Sequence, residues 1–535
     1  MKSVMEFQDE GIIWKKRKLF IAYILIFLCL QIPLLNLKPP VEREGWLSDI
    51  SYHYNNELTG NMAKDIPWGS DWSTGRGRGF YLIHHYFYKV FGIGLFQARL
   101  LTLIAGILLL FLIYKWSKKY LGFDKAILTT ILLLSSFSFW PYLPIVSQDM
   151  LHFLFYFMSF YLLYSSIIQK KEFMYFLTGL VSALSIEVSF RGIEILICVY
   201  IANIIFTDRD KFLRFSLFLL LGSFLSFISW FCLNVLPMGI NKFFQYHILV
   251  VRTAEVPNIS KVLFSEIRRL ILFSDTQRRL ARIEILYWII LMWVFIKRKL
   301  WLDYLKVSKF IFYWLLITLV IVSFFSRIDY QSNPHYFLLY VIFVCIFCSI
   351  SLNYSLLHKS KIAYFSIFLI MALGFICQIG RIAAYSYNQF FKTGYSMNGF
   401  NERLRAKIDI NKPILGEVEY WFAFIDSQYY GGGLYLSRVK NALKELKSDK
   451  EYESKLQSAE AIMKVLKKRN IKYIVTSAGR DYLKYTLSRY FQNTALPKSN
   501  FKLIDSFSTF LNRQSNPLTD PFLNIEIYEI TSYGL

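Results

Sequence analysis

A carboxylate and two guanidiniums stand close together early in this chain. Asp49 lies in Gly45-Trp46-Leu47-Ser48-Asp49-Ile50, and Arg76 and Arg78 lie in Thr74-Gly75-Arg76-Gly77-Arg78-Gly79-Phe80. A carboxylate can act as a general base or as a nucleophile. Arginine offers a planar fork that matches phosphate oxygens, and flanking glycines let the backbone approach closely. An apolar run at 19–37 precedes them, so the group falls at a membrane-water boundary and suits an anionic, lipid-borne substrate. Each residue also has a plainer reading. Ser48 caps a helix starting near Asp49, with Tyr52, Asn56 and Gly60 along one face, and an acidic residue simply favours a helix N-terminus. The arginines alternatively touch anionic lipid headgroups.

Other ionisable residues follow the same boundary. His84 and His85 stand at the entry to the next apolar segment, where they either bind a phosphate or sugar hydroxyl or pack at the interface. Asp149, in Val146-Ser147-Gln148-Asp149-Met150, lies between two apolar runs and must face water or protein rather than lipid. Glu187 and Arg191 are four apart, which on one helix places them on a shared face, as an ion pair or as part of a site. His335 opens a late apolar run in Asn333-Pro334-His335-Tyr336. The loop 237–282 adds Arg252, Arg268, Arg269, Arg278, Arg279 and Arg282.

The elements that must position these residues are membrane helices. The chain is 55% hydrophobic and 19% aromatic, above the roughly 45–50% apolar content of soluble domains. A span needs roughly 20 mostly apolar residues. Runs at 19–37, 95–115, 126–145, 150–168, 173–190, 192–207, 212–236, 283–297, 309–326, 336–354 and 362–380 give about eleven. The excess of 61 Lys and Arg over 37 Asp and Glu, a net +24, sits largely in short loops, so topology explains it before nucleic acid does. Lys15-Lys16-Arg17-Lys18, Lys118-Lys119, Lys170-Lys171, Arg209 with Lys211, and Lys297-Arg298-Lys299 fall on one side. The N-terminus at 1–18 is therefore expected in the cytoplasm. The loops 38–94 and 237–282 and the tail 382–535 are expected outside, with 19–381 as the membrane domain. The tail mixes helical stretches with β-like runs at 471–475 and 524–528, the pattern of a small α/β domain. All six cysteines lie in apolar runs, without zinc spacing.

In their order these pieces resemble the GT-C membrane glycosyltransferases, above all the protein O-mannosyltransferases and the bacterial aminoarabinose lipid A transferases. The resemblance spans roughly 10–385. It rests on Ser48-Asp49-Ile50-Ser51-Tyr52, Arg78-Gly79-Phe80-Tyr81-Leu82, Phe91-Gly92, Ala98-Arg99-Leu100, Leu121-Gly122, Thr178-Gly179-Leu180 through Arg191, and His335-Tyr336. Two positions depart from the family pattern: Ile50 replaces a second acidic residue, and Gly79 replaces a proline. The resemblance implies an inverting hexosyl- or pentosyltransferase that uses a polyprenyl-phosphate sugar as donor. The acceptor would be a glycan, lipid or protein of the cell envelope, on the outer face of a bacterial inner membrane. It implies Asp49 as the catalytic carboxylate and Arg76, Arg78, Arg191 and His335 as donor-phosphate ligands. Asp149, His84 and Tyr52 are then candidates for acceptor or sugar contact. Neither a metal nor a cofactor is expected, since the lipid-linked sugar is a substrate. A lipid-linked oligosaccharide polymerase or ligase shares these features. A transporter or flippase is a third reading, although no paired halves are visible.

Overall fold

The computed structural model describes residues 2–38, 40, 42–54, 78–136, 139–189, 191–236, 239–240, 276–325, 337–358, 361–387, 389, 396–431, 459–478, 498–509 and 523–533. Each apolar run named above contains a helix, although that within 126–145 ends at Ser135. The helices are α1 (Lys2–Leu37), α2 (Glu42–Tyr52), α3 (Arg78–Phe91), α4 (Leu95–Leu121), α5 (Phe123–Ser135), α6 (Gln148–Gln169), α7 (Glu172–Val188), α8 (Gly192–Phe206) and α9 (Phe212–Trp230). They continue with α10 (Thr276–Lys297), α11 (Leu305–Phe325), α12 (Phe337–Leu357), α13 (Lys361–Tyr387), α14 (Met397–Ala406) and α15 (Ala459–Lys468). Among the described residues six helices are long and apolar enough to cross a membrane: Phe20–Leu37, Leu95–Leu121, Gln148–Gln169, Phe212–Leu233, Leu339–Leu357 and Phe365–Tyr387. Gly192–Phe206 and Leu286–Lys297 are shorter apolar helices. This is the build of a multi-pass membrane protein.

Without a hydrophobic drive between helices in lipid, close packing and interhelical hydrogen bonds must hold the bundle. Both are present. α7 and α9 meet backbone to backbone at Gly179 and Gly222, where an added Cβ would come within 2.0 Å of the Leu219 and Phe176 carbonyl oxygens respectively. In the core, Phe160 packs on Trp116, Phe310, Trp314 and Phe343 with ring centroids 4.7–5.4 Å apart. Beside them Trp314 Nε1 donates to Tyr156 Oη at 2.8 Å, and Tyr156 shares a 2.7 Å bond with Thr318.

The tail forms a five-stranded sheet in the order β2-β1-β3-β5-β4, from Ile414–Gly416 (β1), Tyr429–Gly431 (β2), Tyr473–Ala478 (β3), Phe501–Thr509 (β4) and Leu523–Ile530 (β5). β1 runs parallel to β2 and β3, and β5 is antiparallel to β3 and β4. Together with α15 this is the α/β unit expected of the tail. The chain leaves the carboxyl end of β1 straight into a 3₁₀ turn, Val418–Ala423, and that turn packs against α2.

Candidate active site

Helix α2 sets the direction of Asp49, and its placement corrects the sequence reading. Asp49 was expected at a helix start. Instead α2 begins at Glu42, just after Pro40 and Val41, and Asp49 falls in its last turn. There the helix dipole opposes a carboxylate, so capping does not explain the residue. Asp49 is fully buried, and its Oδ1 lies 2.9 Å from Nδ1 of His53, one turn on. The expected face through Asn56 and Gly60 lies outside the described residues. Tyr52 is next to His53, with ring centroids 4.9 Å apart.

Three parts of the chain hold this helix. At its start Glu44 and Arg99 form a fully buried two-pronged pair, Nε to Oε1 at 2.8 Å and Nη2 to Oε2 at 2.6 Å. Arg99 Nη1 also donates to the carbonyls of Leu35 and Lys38, at 2.9 and 2.6 Å, and Glu44 Oε1 accepts from the Val146 amide at 2.8 Å. A buried ion pair persists only when its remaining donors and acceptors are satisfied in this way. Along its length α3 contributes Tyr88, which donates to Ser48 Oγ at 3.1 Å, and His85, whose Nδ1 lies 3.0 Å from the Ser51 carbonyl. At its end His53 meets the edge of Trp421, from the turn after β1, at 6.4 Å.

The guanidiniums follow. Arg78 begins α3 and is 5% exposed. Burial lowers its pKa, while the hydroxyl of Tyr54 and the carboxylate of Glu187 raise it again. Gly79 is what lets α3 come so close to Glu187: a Cβ there would stand 2.9 Å from the Glu187 carbonyl oxygen. The departure from proline thus has a steric role. Glu187 and Arg191 were expected on one helix face. They are not, because α7 ends at Val188 and the extended backbone of Ser189 (φ −153°, ψ 136°) resets the helical phase before α8. Arg191 turns instead to Asp149, Nη1 to Oδ1 at 3.4 Å. Asp149 sits in the first turn of α6, where Ser147 Oγ caps its amide at 3.1 Å and donates to its Oδ2 at 2.6 Å. His152 follows on the same helix, 4% exposed, with Arg191 and Asp149 as its charged neighbours. Neither of its ring nitrogens hydrogen-bonds to a protein atom.

The comparisons with known proteins bear on the fold. A family model described as dolichyl-phosphate-mannose-protein mannosyltransferase matches residues 79–232, from the first turn of α3 to just beyond α9. The search of curated proteins finds no match. Among solved structures the chain is similar to ArnT from Cupriavidus metallidurans bound to undecaprenyl phosphate, with TM-score 0.57, 12% identity, and coverage of 96% of this chain and 98% of that one. The apo state of the same ArnT gives TM-score 0.56 at 11% identity, covering 97% and 99%.

The chain has the fold of the solved ArnT structures, and over residues 79–232 it matches the mannosyltransferase family model.

The described site residues form three local groups. Asp49 joins His53; Arg78 joins Tyr54, whose ring lies 5.4 Å from that of His85 on α3; and Arg78 faces Glu187, four residues before the Arg191–Asp149 pair. His84 is placed differently. It is 1% exposed, with its ring against Phe80 at 4.5 Å and its Nδ1 3.3 Å from Tyr88 Oη, so it is a packing residue of α3. Burial pushes its pKa down to about 3, so it is neutral at neutral pH. Arg76 and His335 lie outside the described residues, as do Arg252, Arg268 and Arg269. Sequence reasoning missed His53, Glu44 and His152. The first and last stand at helical spacing from carboxylates already singled out, which was the available signal.

Proposed function

We propose that this protein transfers a sugar, with inversion, from a polyprenyl-phosphate donor to a cell-envelope acceptor. The observation that carries the proposal is the pairing of buried Asp49 with half-buried His53 at the C-terminal end of α2, on a GT-C fold and linked through α3 to Arg78. The undecaprenyl phosphate bound to the similar ArnT supports the donor class.

The chemistry follows from these groups. Asp49, with His53 Nδ1 at its Oδ1, is the group proposed to accept the proton of an acceptor hydroxyl within roughly 2.6–3.2 Å. The acceptor oxygen bonds to the anomeric carbon as the bond from that carbon to the phosphate oxygen breaks, and the polyprenyl phosphate leaves with the electron pair. Negative charge grows on that phosphate, where preformed positive charge lowers the barrier. Arg78 is the first supplier, with Arg191, Arg76 and His335 as further candidates. Glu187 and Asp149 keep the two guanidiniums oriented before the donor arrives. Asp149 and Tyr52 are proposed for acceptor or sugar contact, and the His84 contact is reduced to packing behind Ser48.

We also propose the arrangement of the chain: 1–18 in the cytoplasm, 19–381 as the catalytic membrane unit of a bacterial inner membrane, and 382–535 outside the cytoplasm. The test is Asp49→Asn in membranes supplied with labelled lipid-linked sugar. Loss of about 10²–10⁴ in transfer rate is the magnitude of a missing general base. Full transfer by a normally expressed variant refutes the base role.

A further inference from the structure

Between the bundle and the tail there is a second site. A pocket of about 600 Å³ opens where the last turn of α1, the first turn of α4, helix α14 and the segment after β1 meet. Its size falls within the roughly 300–1,000 Å³ of small-ligand sites.

The lining has a definite chemistry. Four carboxamides project to it from three elements: Asn36 of α1, Gln97 of α4, and Asn398 and Asn401 of α14. Phe96 and Phe422 supply aromatic surface. α14 divides its faces sharply. Phe400 and Leu404 are fully buried, while Asn398, Asn401, Glu402 and Arg405 stand at helical spacing on the pocket side. The start of α4 adds backbone donors, because Gly94 provides no side-chain cap for its first turn. Arg405 Nε donates to the Ala423 carbonyl, bracing the turn that carries Phe422.

One atom decides between ligand classes. Asn401 Oδ1 is buried without a hydrogen-bond partner. A buried acceptor left unmade is costly, and only a donor relieves it. A phosphate dianion has no donor to offer that acceptor, and Glu402 on the same rim offsets the charge of Arg405. An acyl chain satisfies none of the amides. A sugar matches all of these features: its hydroxyls both donate and accept, as amides do, and its C–H face lies against aromatic rings. Ring contacts join the pocket's lining to the partner of the carboxylate. Phe422 adjoins Trp421, with ring centroids 5.2 Å apart, and Trp421 meets His53, the partner of Asp49.

We infer that this pocket binds a sugar unit of the acceptor, so that the acceptor is a glycan or glycolipid. This rests on the transferase reading above, and the experiment separates the two. The full-length protein in lipid nanodiscs is probed by saturation-transfer difference NMR with the methyl glycosides of glucose, mannose and galactose. A parallel arm measures the shift in its unfolding midpoint on adding undecaprenyl phosphate. The wild type should show saturation transfer to at least one glycoside. Asn401→Ala, and separately the surface change Asn398→Ala, should reduce it by about fivefold, the loss expected for one hydrogen bond. The undecaprenyl phosphate shift should be retained in both variants. No transfer to any glycoside, or transfer unchanged in both variants, overturns the pocket assignment. Absence of the undecaprenyl phosphate shift overturns the transferase reading instead, while the glycoside arm still decides the pocket.

Discussion

Replacing Arg99 with methionine probes how Asp49 is held rather than what it does. Arg99 is fully buried, and nothing places it against substrate. Among the described residues it donates to Glu44, Leu35 and Lys38. Arg99→Met keeps most of the volume but leaves the Glu44 carboxylate, also fully buried, without its counter-charge. Breaking one partner of a buried pair costs about 3–5 kcal/mol. For a chain of 535 residues, an unfolding entropy of about 2.1 cal/mol/K per residue makes 1 kcal/mol worth roughly 1 °C, so the midpoint should fall by at least about 3 °C. If only part of the chain unfolds cooperatively, the shift is larger. Because Glu44 stands five residues before Asp49 on α2, transfer should fall as well. A displacement of about 1 Å can cost on the order of 10²-fold. The decisive assay is a double-mutant cycle with Glu44→Gln, read by thermal unfolding in one detergent. A neutral amide opposite methionine no longer carries a stranded charge, so the double variant should recover about 1–3 kcal/mol relative to the sum of the singles. Strict additivity, or an Arg99→Met midpoint within 1 °C of wild type, refutes the argument that this pair anchors α2.

Three further outcomes follow. The folded-state pKa of His84, about 3, lies below its ordinary value of 6.5, so the folded protein binds fewer protons than the unfolded chain. Its stabilising share is therefore present above pH 6.5 and lost as pH falls toward 3, at up to about 1.4 kcal/mol per pH unit. His84→Phe should flatten the fall in unfolding midpoint between pH 6.5 and 4.5, and an unchanged slope counts against burial of a neutral imidazole. Gly79→Ala should lose about 1–3 kcal/mol and weaken undecaprenyl phosphate binding, because the new Cβ drives α3 away from Glu187 and moves Arg78 with it. Gly179→Ala places a Cβ 2.0 Å from the Leu219 carbonyl oxygen, so it should lower the unfolding midpoint and leave donor affinity per folded molecule unchanged.

The helices were legible because hydropathy is a local property, and each apolar run is long enough to announce itself. The strands at Tyr473–Ala478 and Leu523–Ile530 were legible for a similar reason, since both alternate or cluster β-formers. The direction of α2 was not read. Pro40 followed by Glu42 marks a helix start that puts Asp49 at the far end, and that punctuation was passed over in favour of Ser48. The break at Ser189 has Gly192 three residues on, where a Cβ would stand 2.3 Å from the Ile186 amide nitrogen, and that glycine was the local sign that Glu187 and Arg191 would separate. Glu44 and Arg99 are 55 residues apart, and no periodicity links them. The pocket at Asn401 escaped entirely, because its amides come from α1, α4 and α14 and become neighbours only through tertiary packing.

The contact between Trp421 and His53 has a consequence for how this protein can evolve. Asp49 owes its setting to a residue more than 350 positions downstream, in the turn that follows the first strand of the sheet. A lineage that swaps its sheet for another must rebuild the edge that meets His53 at the same time. Changes in that turn and in α2 should therefore be inherited as a pair.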